Sequence, residues 1–218
     1  MGRFKAHTKY KTKNKVVVPS VTTVMGSELG WNKNILMNWG IKMAKQGKDP
    51  KTFTQDAADV GTLAHALVEA DINKEEYEIG DDYTPNQKKR AETAFDAYLK
   101  FKKAMKPKFL VAEIKLVSEK HKVGGTADGI VEINGETLLY DLKTSRNVYD
   151  EMKVQIGMYA LMYEEMFQRR KKLDGGVILR LDKDKGDYHF YQYTRETLEI
   201  GAKIFLNLLE NRNLHKLL

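Results

Sequence analysis

Apolar positions recur along this chain at two periods, and the period changes near its middle. Val16 to Met25 begins as a β-branched run that Pro19 interrupts, so it reads as a turn leading toward a helix. From Trp31 to Lys45, Ile35, Leu36, Trp39 and Met43 fall at helical spacing and predict a helix whose stripe faces a core. Gly47 to Pro50 breaks that pattern. A second helix is expected over about Gln55 to Asn73, with Ala57, Val60, Ala64, Leu67 and Val68 on its apolar side. A third is expected over Thr84 to Lys106, opened by a cap-then-proline signal at Thr84-Pro85 and closed by Lys106-Pro107. From Phe109 the alternation becomes two-residue and predicts a strand through Val117. A periodic helix over Asp150 to Lys172, strands over Gly175 to Leu181 and Tyr188 to Tyr193, and a helix from Thr194 or Arg195 to Asn211 complete the pattern. The order predicts an α/β fold, a central mixed sheet flanked by helices with an N-terminal helical elaboration.

The strongest local signal lies between Gly124 and Lys143. Asn134-Gly135 separates two alternating runs, and a type I′ turn needs positive φ at both central residues. With that turn Ile133 pairs with Glu136, and five steps further Asp128 stands opposite Asp141. Side chains so placed have Cβ atoms about 4.5–5.5 Å apart, and like charges there repel. A hard divalent cation removes the conflict by taking carboxylate oxygens. Lys143, two residues beyond Asp141, points to the same face. The other face, with Ala127, Val131, Ile133, Leu138, Tyr140 and Leu142, is apolar.

Composition narrows the partners. The 218 residues contain no cysteine, which excludes disulfides and cysteine-ligated zinc or iron–sulfur sites. No run of about 18 apolar residues is present for a membrane span. The formal charge of +7 favours an anionic partner. Arg3, Lys5, Lys9, Lys11, Lys13 and Lys15 all precede the first acidic residue, Glu28, forming either a solvated tail or a phosphate-contacting arm. The expected organisation is one domain: a basic arm and turn over 1–27, a helical part over 28–107, and the core sheet with its helices over 108–218.

Other polar residues admit a bland and a functional reading. Ser20, Thr22 and Thr23 can cap a helix or bind phosphate oxygens. His65 and Glu69, four apart, share one helix face. A histidine in an apolar helix is ordinarily a hydrogen-bonded core residue, unless a carboxylate pair meets it. Glu113 on the first strand is an active-site acid or a salt-bridge partner. Gln155 and Tyr159 again share a helix face, and Met158, Leu161, Met162 and Phe167 suit a core. Trp31 and Trp39 read as core residues, and Tyr10 as a possible base-stacking ring.

Four separated motifs in this order resemble the PD-(D/E)XK nuclease superfamily. They are Gly61-Thr62 with His65 and Glu69, then Asp128, then Asp141-Leu142-Lys143, then Gln155 with Tyr159. The resemblance is to its RecB-like exonuclease branch, of the single-domain phage and mitochondrial genome-maintenance type without an iron–sulfur cluster; Pro19-Ser20-Val21-Thr22 is similar to an opening found in that type. It implies a restriction-endonuclease-like core and Mg2+ or Mn2+ held by His65, Asp128, Asp141 and the Leu142 backbone carbonyl, with Glu69 and Glu113 as additional acidic candidates. Asp128, Asp141, Lys143, Gln155 and Tyr159 are the implied catalytic set, and Ser20, Thr22, Thr23, Thr144 and Ser145 the implied nucleic-acid contacts. An imidazole ligand favours Mn2+. The implied activity is exonucleolytic cleavage of DNA at single-strand or duplex ends, largely independent of sequence, in replication, recombination or repair. It would act in the cytoplasm of a bacterial or phage-infected cell, or alternatively in mitochondria. A structure-specific or restriction-like endonuclease and a silent nucleic-acid-binding module are the alternatives.

Overall fold

The computed structural model describes residues 8–167 and 172–218. Strands β1 (Tyr10–Lys11) and β2 (Val17–Val18) precede helices α1 (Val21–Glu28), α2 (Lys33–Lys45), α3 (Pro50–Asn73) and α4 (Pro85–Met105). There follow β3 (Lys108–Ser118), β4 (Val123–Ile133), β5 (Glu136–Lys143), α5 (Asp150–Phe167), β6 (Gly175–Leu181), β7 (Tyr188–Thr194) and α6 (Arg195–His215). Helix starts follow side-chain chemistry. Asp49 accepts from the N–H groups of Lys51 and Thr52 with Pro50 in the first turn, so α3 begins before Gln55. Thr84 and Gln87 form a reciprocal capping box on α4, and Thr194 caps α6. Each such cap contributes about 1 kcal/mol.

The five-stranded sheet has the order β3-β4-β5-β6-β7. β3, β4 and β5 form an antiparallel meander, β5 and β6 run parallel across the α5 crossover, and β7 folds back on β6. Asn134 and Gly135 take φ of 52° and 82°, and Ile133 pairs with Glu136, the register expected of this turn. One sheet face buries Leu116, Ile130 and Leu139 with α1, α5 and α6; the other buries Val131, Leu138 and Tyr140 with α3 and α4. Each large apolar side chain so buried contributes about 1.5–3 kcal/mol. Among the described residues no helix is long and apolar enough to cross a membrane.

Several expectations need correction. The turn expected between Pro19 and Trp31 contains α1, whose Val21 and Val24 are fully buried in the core under α5 and α6. That helix takes the position beside the core, so α2 is displaced outward onto α3. Of its expected core stripe only Met43 is buried; Ile35 is 67% and Leu36 61% exposed. Trp31 is half exposed and not a core residue, while Trp39 is half-buried against Phe53 at 5.9 Å between ring centroids. The helix expected to reach Lys172 is described to Phe167, Lys172 lies outside it, and residues 168–171 are outside the described residues. The last helix continues beyond Asn211 to His215, with Arg212 and His215 in its final turn suiting the negative end of its dipole. Of the basic arm, Arg3 and Lys5 lie outside the described residues. From Tyr10 onward its backbone is not a tail: Tyr10 pairs with Val18, and the Lys13 N–H donates to Glu119 Oε1 at 2.6 Å.

Candidate active site

β4 and β5 stay paired from the turn only as far as Gly129 and Tyr140. Beyond that point they part. Gly129 has φ of +152°, and a Cβ there would stand 2.0 Å from the Val111 carbonyl oxygen, so only glycine fits. Across on β3, Glu113 also takes a positive φ of 42°. The kink breaks the alternation of β4: Ala127 and Ile130 both face the α5 side. Asp128 therefore does not stand in ladder register opposite Asp141 with both acids on one face, as strict alternation predicts. It turns toward α3, whereas Asp141 follows Leu139 toward α5.

The parted strands leave a cleft of about 800 Å3 lined by Tyr10, Ser20, Thr22, Thr23, His65, Glu69, Glu113, Thr126 and Asp128. β4 is not left with a bare edge there. The Gly124 N–H donates to the Pro19 carbonyl at 3.0 Å, and Ser20 bridges to Gly124 in parallel sense. The N-terminal segment thus closes one side of the opening.

Each acid has its own counter-charge. Asp128 Oδ1 lies 3.1 Å from His65 Nδ1, and its Oδ2 accepts the Leu142 N–H at 2.6 Å. Asp141, 3% exposed, has Oδ2 at 2.5 Å from Lys143 Nζ. That ammonium is the charged partner of this oxygen, which meets no other hydrogen-bond donor. Lys143 Nζ donates to Gln155 Oε1 at 3.0 Å, and Gln155 Nε2 donates to Tyr159 Oη at 3.2 Å. Tyr159 is seated by a bare patch of strand, since a Cβ on Gly125 would lie 2.5 Å from its ring.

Titration follows from these contacts. Burial disfavours the His65 imidazolium, but the charge and hydrogen bond of Asp128 outweigh it and raise the His65 pKa. Burial likewise pushes against the Asp128 carboxylate, yet His65, Lys143 and the Leu142 N–H hold its pKa down. Asp141 goes the other way: burial raises it, Lys143 opposes the rise, and the Asp128 charge adds to it. The two acids therefore sense each other although they face different helices. Burial raises the Tyr159 phenol above its ordinary value, so Tyr159 serves as a neutral hydrogen-bond partner and not as a base. Glu69 is pushed up to about 7, first by burial and then by the hydrogen bond and charge of Glu113 beside it.

Among the described residues no three His, Asp or Glu side chains converge as a ready-made cation cage. The donor set nevertheless fits a hard divalent ion: two mutually repelling carboxylates, one of them buried with an oxygen met only by the Lys143 ammonium, and one imidazole. Admitting the ion requires exchange of the Asp141–Lys143 and Asp128–His65 contacts for metal contacts. Leu142 meets Asp128 through its N–H. Ser20 caps α1 by accepting from the Thr23 N–H, and its hydroxyl also meets those of Thr22 and Thr23. Thr144 Oγ1 sits against Gly61 of α3, and the Ser145 hydroxyl donates to the Asn147 carbonyl at 2.7 Å.

Pattern reading missed three members of this neighbourhood. The Gly124-Gly125 pair was legible as glycine inside a strand, a mark of close approach. Thr126 carries the hydroxyl that meets Tyr10. Arg180, only 8% exposed, has Nη1 at 3.4 Å from the Ser145 carbonyl; a lone arginine in an apolar strand gave no hint of that role.

The solved structure titled "Crystal structure of SSO0001" is 19% identical, covers 68% of this chain and 74% of that chain, and superposes with a TM-score of 0.33, too loosely to carry any inference. No curated protein matches this chain. The sequence pattern of the PD-(D/E)XK nuclease superfamily matches residues 38–213, a span running from α2 to α6 that includes the His65, Asp128, Asp141 and Lys143 cluster and the mixed sheet beneath it. On that match, this chain belongs to the PD-(D/E)XK nuclease superfamily.

Proposed function

We propose that this chain is a divalent-metal-dependent DNA exonuclease of the RecB-like branch, hydrolysing phosphodiester bonds at single-strand or duplex ends in replication, recombination or repair. The observation that carries the reading is the parting of β4 and β5, where Asp128 with His65 lines the cleft while the buried Asp141, paired with Lys143, lies close enough to feel the Asp128 charge. The cleft volume is in the upper range of ordinary ligand pockets, room for a strand end more than for a duplex laid across an open face. The N-terminal segment walling one side supports the same preference.

His65, Asp128, Asp141 and the Leu142 carbonyl would hold Mg2+ or Mn2+, with the imidazole favouring Mn2+. When bound, the ion supplies charge neutralisation at the non-bridging oxygens and an acidified water. Gln155 fixes where the Lys143 ammonium points, and Tyr159 fixes Gln155. Once freed from Asp141, that ammonium orients the attacking water and stabilises charge growing on the phosphorus oxygens. Ser20, Thr22 and Thr23, which line the cleft, together with Thr144 and Ser145 after β5, would contact phosphates, and affinity would fall with salt.

The reading is tested by incubating end-labelled linear single- and double-stranded DNA and closed circular DNA with Mg2+, Mn2+ or EDTA. Release of labelled nucleotides from linear DNA only, and only with a divalent ion, is expected. Cleavage of the closed circle would instead favour an endonuclease, and inertness on every substrate would leave a binding module.

A further inference from the structure

Adjacent residues of a strand point to opposite faces, and Gly124 and Gly125 leave both faces of β4 bare beside the cleft. Tyr159 fills the α5 side. Tyr10, from the N-terminal segment, fills the other: a Cβ on Gly124 would lie 2.3 Å from Tyr10 Cβ and 2.4 Å from its Cγ. The Tyr10 hydroxyl meets Thr126 Oγ1 at 2.9 Å, two residues before Asp128. Its backbone is held by pairing with Val18, and Pro19 just beyond accepts the Gly124 N–H. The ring is thus fixed at its base, its flank and its tip, while it lines the same cleft as His65 and Asp128. Along the same segment Lys9, Lys11, Lys13 and Lys15 are exposed. A rigid aromatic wall bordered by lysines is the arrangement by which proteins hold single-stranded nucleic acid, bases on the ring and phosphates on the ammonium groups.

We propose that Tyr10 is a substrate-positioning residue whose ring stacks on a nucleobase of the strand lying in the cleft, so that the N-terminal segment is part of the binding site. This rests on the cleft accepting a nucleic-acid strand, as in the function proposed above. A structural role alone would need only bulk over Gly124. A stacking role needs a flat ring.

The two are separated by measuring binding of a 5′-fluorescein single-stranded oligothymidylate by anisotropy in EDTA, where no turnover occurs. Tyr10→Phe keeps the ring and should bind within about twofold of the parent, whereas Tyr10→Leu keeps the bulk without the ring and should bind about 5- to 100-fold more weakly. On an abasic oligomer of equal length the parent and Tyr10→Leu should bind alike. Tyr10→Leu equal to the parent, Tyr10→Phe as weak as Tyr10→Leu, a difference that persists on the abasic strand, or no binding by the parent would each overturn the inference. Nuclease assays of the parent with Mn2+ report separately. Ring-dependent binding without degradation would remove the hydrolytic reading alone, and degradation with ring-independent binding would remove this inference alone.

Discussion

The Asp128 carboxylate accepts the Leu142 N–H at 2.6 Å, just past Gly129 and Tyr140, the last backbone pair between β4 and β5. A side chain has taken over where the ladder stops. This satisfies a main-chain donor that would otherwise be left unpaired as the strands part, and it fixes Asp128 against the main chain of the strand bearing Asp141 and Lys143. Asp128→Ala should therefore lose structure as well as activity, and Asp128→Asn should keep more of the fold, since its amide oxygen can still accept. A thermal melt of the two variants checks the order.

Lys143 has the most direct role. Replacing it with alanine should lower Mn2+-dependent DNA degradation by about 10²- to 10³-fold, the loss typical of one preorganised donor at a charged transition state. Binding of DNA in EDTA should change by no more than about threefold, because one cation among many contributes a small part of phosphate affinity. Equal activity in the variant and the parent would remove Lys143 from the mechanism.

Gln155 acts through Lys143, so its loss should be smaller and should fall on kcat. Gln155→Leu should lower kcat by about 10- to 100-fold through misplacement of the ammonium. Tyr159→Phe removes only the group that fixes Gln155 and should cost less than Gln155→Leu. Steady-state kinetics on an end-labelled strand would show the ranking Lys143, Gln155, Tyr159.

Gly125→Ala tests the seating of Tyr159. The added methyl would lie 2.5 Å from the ring, and overpacking of this kind costs about 1–3 kcal/mol. For a chain of this size each kcal/mol corresponds to a fall of about 2–4 °C in Tm. An unchanged melt would show that α5 yields at no cost.

Glu69 makes stability depend on pH. Its folded pKa of about 7 lies above the ordinary value, so folding favours the protonated form. The associated stability is fully present below the unfolded pKa and is lost as pH rises through about 7. Glu69→Gln should thus show little advantage near pH 4, a growing advantage between about pH 4.5 and 7, and a constant one above that. Chemical denaturation across this range in EDTA gives the profile, and a flat difference would mean that burial beside Glu113 does not raise Glu69.

Much of the fold was legible wherever local chemistry and pattern agreed. Asn134-Gly135 set the hairpin register, Thr84-Pro85 marked the start of α4, and the spacing of Gln155 and Tyr159 placed both on one side of α5. The failures share a cause: the outcome depended on contacts distant in sequence. Ile35 and Leu36 have helical spacing whether or not a core is available, and α1, hidden in a β-branched run after Pro19, occupies that place. The kink at Gly129 answers to Val111 on another strand, and no alternation rule could place Asp128 once the rule itself is broken there. Tyr10 meets Gly124 across more than half the chain, which a motif search along one segment does not reach.

The central claim is that Asp128 and Asp141 are ligands of one divalent ion. It is tested most directly by titrating Mn2+ into the metal-free protein under electron paramagnetic resonance, comparing the parent with Asp141→Asn. Saturable binding by the parent, weakened at least about tenfold in the variant, is the predicted result. Equal affinity in both, or no binding by the parent at millimolar Mn2+, would contradict it.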